Sequence, residues 1–151
     1  MICFITCFLL YEYEKKEAYL NLLLKDKLPS DNEHNGFITE IVYGVVRYKR
    51  FLDYKIEKYS SVKLKKISIP VLIILRMGFY QLCFMDSIPD FAVINESVKL
   101  CGKVAYKSKG FVNALLRNGA DDKEEEKNMS WEVKYSFPDE FVKTIKNQYK
   151  E

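Results

Sequence analysis

The chain has 151 residues, 48% hydrophobic and 15% aromatic, which is enough apolar material for one domain with a sizeable core and too much for a disordered chain. Six glycines and four prolines exclude collagen-like and low-complexity architectures and are too few to punctuate the strands of a sandwich or barrel, so the expected class is all-α. The formal net charge of +3 conceals an asymmetry: between Arg47 and Arg117 stand 14 Lys or Arg against 5 Asp or Glu, a local balance of +9, leaving 10 against 16 elsewhere.

Residues 1–11 (MICFITCFLLY) are apolar, but far short of the ~20 residues of a membrane span. They also lack the basic start and small-x-small cleavage site of a signal peptide. The spacing of Leu9 or Leu10, Tyr13, Ala18, Leu20 and Leu23 or Leu24 predicts one helix running to about Leu24. Residues 25–35, polar and containing Pro29, predict a loop with His34 facing solvent.

From Gly36 onward, Ile38, Ile41, Val42 and Val45 form an amphipathic stripe. Arg47, Tyr48, Lys49 and Arg50 interrupt it before Leu52, Ile56 and Tyr59 continue a second stripe. The pattern predicts two helices, or one bent helix, joined near Lys49-Arg50. Residues 60–68 (SSVKLKKIS) form a basic connector, with Ser68 as N-cap and Pro70 in the first turn of the next helix.

Residues 69–84 are apolar on nearly every face, which predicts a helix surrounded by others. Arg76 and Gln81 in its middle argue against a membrane span. Residues 86–89 break it, and Pro89 starts a helix lined by Phe91, Ile94, Val98 and Cys101. Ser108 is the expected cap of a short helix over 111–117, stopped by Gly119. Residues 120–129 (ADDKEEEKNM) read as a charged linker. Ser136 and Asp139 are a capping pair for a last helix bearing Phe141, Ile145 and Tyr149.

Catalytic chemistry is not assembled. Cys3, Cys7, Cys83 and Cys101 form no C-x-x-C pair and lie among apolar residues, and the single histidine, His34, makes a metal site unexpected. Buried thiols fit a reducing compartment, so a cytoplasmic location is expected. No Gly-rich phosphate loop is present, no nucleophile has a base, and Asp53, Asp86, Asp90 and Glu96 read as caps and ion-pair partners.

Binding chemistry is better represented. A basic stretch is the footprint of a polyanion partner, with a solvated lysine-rich face as the alternative. Arg47, Lys49 and Arg50 interleave with Tyr48 and Phe51, and these two aromatics read equally as core. Lys107 and Lys109, with Gly110, stand before Phe111, at a helix start where the dipole favours acids. A phosphate ligand accounts for cations placed there.

Four blocks then carry a family resemblance: residues 37–53 (FITEIVYGVVRYKRFLD), 74–82 (ILRMGFYQL), 88–100 (IPDFAVINESVKL) and 110–118 (GFVNALLRN). In this order they resemble the NusB-like helical domain, especially the version fused to bacterial rRNA cytosine-C5 methyltransferases of the RsmB (Sun) type. Residues 130–138 (SWEVKYSFP) look like the segment joining that domain to the catalytic one. The resemblance covers roughly residues 11–149.

It implies an all-α NusB-like bundle of about seven helices in two packed sub-bundles, and RNA binding, with RNA that is ribosomal and a ribosomal protein as a further partner. It places RNA contacts at Lys109-Gly110-Phe111, with Asn113 behind them and Arg47 in a G-x-x-R pattern after Gly44. With the basic clusters, the expected RNA-binding set is Arg47, Lys49, Arg50, Lys107, Lys109, Gly110, Phe111, Asn113 and Arg117. Asn113 reads equally as structural, and Arg47 has an ion pair to Asp53 as its alternative. Gly44 and Gly78 are expected at close helix crossings, and Arg76 in a buried ion pair with Glu40 or Glu96.

The domain division expected is 1–119 for the RNA-binding domain, 120–129 for the linker, and 130–151 for the start of a connector. Residues 1–10 do not look like the family's opening, which is more polar and often basic. The family's methyltransferase features, a Gly-rich cofactor loop and a cysteine after a proline, are not found. Methyl transfer is therefore not expected of this chain, and neither is a cofactor, S-adenosylmethionine belonging to relatives that carry the further domain. A transcription antitermination factor acting with a ribosomal protein is the second reading. A protein-interaction module or non-functional fragment is the third.

Overall fold

The apolar run in the middle of the chain becomes the axis of the molecule. In the computed structural model, which describes residues 2–16, 19–28 and 33–121, it is α5 (Ile69–Phe84), whose Val71, Ile73, Ile74, Leu75, Met77, Phe79 and Leu82 are all buried. Around it lie α1 (Ile2–Lys16), α2 (Leu20–Lys27), α3 (Asn35–Arg47), α4 (Lys49–Tyr59), α6 (Asp90–Val104) and α7 (Lys109–Asp121). Single 3₁₀ turns at Leu64–Lys66 and Tyr106–Ser108 precede α5 and α7. The fold is all-α, as expected. Helices α1, α3, α4, α6 and α7 all pack on α5, α2 packs on α1, and α6 and α7 pack on each other.

Predicted boundaries shift where local geometry overrides periodicity. The single helix expected to reach Leu24 is two, because Tyr19 is extended (φ −64°, ψ 123°) and ends the run before α2. The apolar spacing continues across the break because Leu9, Leu10, Leu23 and Leu24 enter the same core. Of the stretch 25–35 expected as a loop, Lys25–Lys27 belong to α2 and Asn35 opens α3; His34 is exposed, as expected. Ser68 stands in the extended N-cap position, but its side chain makes no capping hydrogen bond, while Pro70 occupies the first turn as expected.

The buried stripe of α6 is Val93, Ile94, Ser97, Leu100 and Cys101. Phe91, expected in the core, is 70% exposed. The stripe is turned because Ser97, polar yet buried, faces Gly78, where a larger side chain would keep α6 from α5.

Three glycines set helix distances. A β-carbon at Gly44 would enter the Tyr80 ring, and one at Gly78 would come within 2.8 Å of Leu116 Cδ2. At Gly119 it would enter the Phe79 ring. Gly119 therefore does not stop α7 but lies inside it, giving Phe79 its place in the core. The charged run expected from residue 120 thus has its first two residues, Ala120 and Asp121, inside the helix. Its remainder, and the last helix with Ser136, Asp139, Phe141, Ile145 and Tyr149, lie outside the described residues.

One charged group sits in the core. Arg76 on α5 is 6% exposed, and its partners are Asp53 and Glu14, not the expected Glu40 or Glu96. Its Nε donates to Asp53 Oδ1 at 2.7 Å and Nη2 to Asp53 Oδ2 at 3.1 Å, a bidentate pair. Its Nη1 donates to Glu14 Oε1 at 3.2 Å, and Lys49 Nζ reaches the same oxygen at 3.1 Å. Sequence spacing cannot reveal these partners, because they meet only through the crossing of α1 and α4 over α5.

Removing the guanidinium while leaving two acids behind is costly. Arg76→Met is expected to lower stability by about 3 kcal/mol, with much of the loss recovered by adding Asp53→Leu, as read from urea unfolding midpoints. Gly119→Ala is expected to destabilise by about 1–3 kcal/mol through overpacking against Phe79. In the same assay Gly36→Ala, where a β-carbon meets nothing within 4 Å, should gain up to about 1 kcal/mol.

Candidate nucleic-acid interface

The expected RNA-binding residues fall into two groups. Arg47 closes α3, Tyr48 joins it to α4, and Lys49 and Arg50 open α4. Arg47 is exposed, with its guanidinium 5.4 Å from the Tyr48 ring centroid. It does not pair with Asp53, which holds Arg76. Lys49 is tied to Glu14, and Arg50, half-buried, also has a partner. The neighbouring aromatics are structural: Phe51 is buried, and Tyr48 stacks on Phe84 at 4.6 Å between centroids.

The second group lies where α6 turns into α7. Lys107 is exposed in the 3₁₀ turn. Lys109, in the first turn of α7, lays its stem over Gly102 and holds its ammonium 5.2 Å from the Tyr106 ring centroid. Gly110 is exposed, and a β-carbon there would meet nothing within 4 Å, so a phosphate can approach its backbone. Phe111 is half-buried and packs on the core, which leaves little of its ring for stacking. Asn113 Oδ1 accepts a hydrogen bond from Arg117 Nε at 3.2 Å, one turn along the exposed face of α7.

These groups do not converge. Tyr48 packs at the C-terminal end of α5, on Tyr80 and Phe84. The turn before α7 lies at the other end, where Pro70 and Val104 line one depression. Between the two runs the length of α5, roughly 24 Å at 1.5 Å per residue.

Beside the second group is a groove that sequence reasoning missed. It has a volume of about 350 Å³ and runs between the start of α1 and the C-terminal half of α6, where Phe4 and Tyr106 line it with Lys99, Lys103 and Lys109. Phe4 is 46% exposed and Tyr106 73%. Glu96 is the acid of this lining, and Lys99 reaches it at 3.7 Å. Lys99, Lys103 and Lys107 recur every four residues, a spacing that could have flagged one cationic face. Phe4 carried no such signal.

Aromatic faces beside ammonium groups bind single-stranded nucleic acid by stacking on bases and attracting phosphates. The described residues contain no cluster of three or more His, Cys, Asp or Glu able to hold a metal. The thiols of Cys3, Cys7 and Cys101 are poor nucleophiles: burial, and then Cys3 beside it, pushes Cys7 up to about 11. Burial also raises Cys3 and Cys101, with Glu96 adding to the effect at Cys3.

Comparison with known proteins gives a consistent set of similarities. A profile described as the NusB family matches residues 5–121. The chain is 35% identical over 113 residues to a probable ribosomal RNA small subunit methyltransferase B of Bacillus subtilis, covering 72% of this chain and 25% of the relative. A protein of the same name from Synechocystis is 31% identical, covering 87% of this chain and 32% of the relative. The chain thus spans a quarter to a third of these relatives. A transcription antitermination protein NusB of Acetivibrio thermocellus is 33% identical over 72% of this chain and 78% of its own length. In fold, the chain is similar to NusB of T. maritima, with a TM-score of 0.71 at 21% identity over 80% of this chain and 88% of that one. It is also similar to a chain in a crystal structure of the antitermination factors NusB and NusE with dsRNA, with a TM-score of 0.69 at 21% identity over 80% and 93%.

The thiols allow a direct check of the packing at α1. Raising Cys7 from 9.0 to about 11 cuts its thiolate fraction at pH 8 by about a hundredfold. Cys7 should therefore react far more slowly with iodoacetamide in the folded chain than in urea. The fold favours the protonated thiol, so this contribution to stability is intact below pH 9 and declines as pH rises through about 11. Thermal unfolding across pH 8–11 measures it.

Proposed function

The chain belongs to the NusB family, and from that premise we propose that it binds RNA, ribosomal RNA above all, as the NusB-like domain of an rRNA cytosine-C5 methyltransferase. The observation that carries this reading is the groove in which Phe4 and Tyr106 stand beside Lys99, Lys103 and Lys109. A base stacks on the exposed ring of Tyr106 while the lysines attract the flanking phosphates. Lys107 and the open backbone at Gly110 extend the cationic surface to the start of α7, where free N–H groups meet phosphate. Arg117 and Asn113 continue it along α7, and Arg47, Lys49 and Arg50 form a separate contact at the far end of α5.

The role is positioning, with catalysis left to a methyltransferase domain of the kind the longer relatives' names describe. On this reading the chain uses no cofactor of its own, and its place of work is the cytoplasm. Among the described residues, no helix is long and apolar enough to cross a membrane.

A second reading, an antitermination factor, draws on the relatives called transcription antitermination protein NusB, matched over 78% of their length. It requires a protein partner, as NusE stands beside NusB in the solved complex. A stoichiometric complex with a ribosomal protein on purification would favour it.

Fluorescence anisotropy with a small-subunit rRNA hairpin, across a salt series, tests RNA binding. Affinity should fall steeply with salt. Tyr106→Ala should weaken binding by roughly 5- to 150-fold, the range for loss of one stacked base, and Lys103→Ala should reduce the salt slope by about one. A folded chain that binds no RNA at low salt would sink the proposal.

A further inference from the structure

The connector between α4 and α5 is built to present cations. Leu64 and Ile67 turn inward onto the core, whereas Lys63, Lys65 and Lys66 are exposed. Its backbone is pinned at several points. Ser60 Oγ accepts the Val62 N–H at 2.9 Å and donates to the Val62 carbonyl at 2.6 Å. The Lys66 N–H donates to the Lys63 carbonyl at 2.9 Å, and that of Ile67 to the Leu64 carbonyl at 3.1 Å. None of the three lysines pairs with an acid among the described residues. Glu57, which lines a shallow depression with Lys63 and Lys65, lies beyond ion-pair distance.

Topology brings these lysines to the end of the bundle that already carries the groove. A short break after α5 reverses the chain into α6, and the turn after α6 reverses it again into α7, so α5 and α7 start from the same end. Pro70 at the start of α5 and Val104 at the end of α6 line one depression, which confirms the placement. The connector feeding α5 and the turn feeding α7 therefore lie at the same end of the bundle. That end thus carries both Lys63, Lys65 and Lys66 and the cations Lys103, Lys107 and Lys109.

We propose that the connector lysines form a second, phosphate-contacting surface, across which an RNA seated in the groove continues and is held by its backbone. This extension rests on the RNA-binding reading above. The groove offers two aromatic rings, whereas the side chains interleaved with the connector lysines are Val62 and Leu64. The connector therefore contacts phosphates independently of sequence, adding affinity and orientation to whatever the groove reads. An RNA too short to leave the groove does not feel it.

The test compares an oligonucleotide of about six nucleotides with a hairpin of about twenty base pairs, lengths chosen to fill the groove or to overrun it. The variant is Lys63→Ala/Lys65→Ala/Lys66→Ala, with Lys65→Glu/Lys66→Glu as a second, both checked by circular dichroism for native helix content. Hairpin affinity should fall by about tenfold or more, and the slope of log K against log salt should shrink by about two to three. Oligonucleotide affinity should stay within about twofold. Unchanged hairpin affinity and slope would overturn the extension and leave the groove reading standing. Equal loss on both RNAs would overturn it too, by making the connector part of the groove. Failure of the unsubstituted chain to bind either RNA would overturn both.

Discussion

A guanidinium inside the most apolar helix is the constraint on which the arrangement turns. Arg76 cannot stay buried and charged without carboxylates, and Asp53 from α4 and Glu14 from α1 supply them. Three helices distant in sequence are thereby fixed at one crossing. Desolvating these charges offsets much of their attraction, so the pair contributes little to net stability but penalises any register that separates the partners. Because Lys49 joins the same Glu14 oxygen, the crossing also holds the α3–α4 corner and hence the position of Arg47.

The other helices are placed by absence of side chain. Gly44 admits Tyr80, Gly78 admits Leu116, and Gly119 admits Phe79. Each pairs a missing β-carbon with a large side chain, so α3 and α7 approach α5 more closely than a larger residue would allow. Tyr80 then stacks with Tyr48 and Phe84, joining the corner to the end of α5. Burial, with Glu40 and Tyr48 nearby, raises the Tyr80 phenol further above neutrality, so it serves this packing uncharged.

Much of the fold was legible because periodicity survives in α3 and α4, and because α5, apolar on nearly every face, must stand among other helices. Legibility failed where a polar residue took a core position or a core role passed to glycine. Ser97 disguised the true face of α6 and put Phe91 inside when it lies outside. Gly119 looked like a stop because a glycine after a helical stripe usually is one. At the candidate site, composition and spacing located Lys107 and Lys109, since clustered charge is visible without coordinates. They could not show that Phe111 packs inward, or that Phe4, a hundred residues before Tyr106, lines the same groove.

Lys109 carries a consequence of its own. A free lysine side chain samples many rotamers, and immobilising it on a ligand forfeits up to about 2 kcal/mol of entropy. Here the stem rests on Gly102 and the ammonium sits beside Tyr106, so part of that ordering is complete before any ligand arrives. Gly102 makes this possible, since a β-carbon there would stand 3.3 Å from Lys109 Cδ. The cation at the start of α7 is thus preorganised: its contribution to affinity is less diluted by freezing than that of the solvent-borne lysines around it.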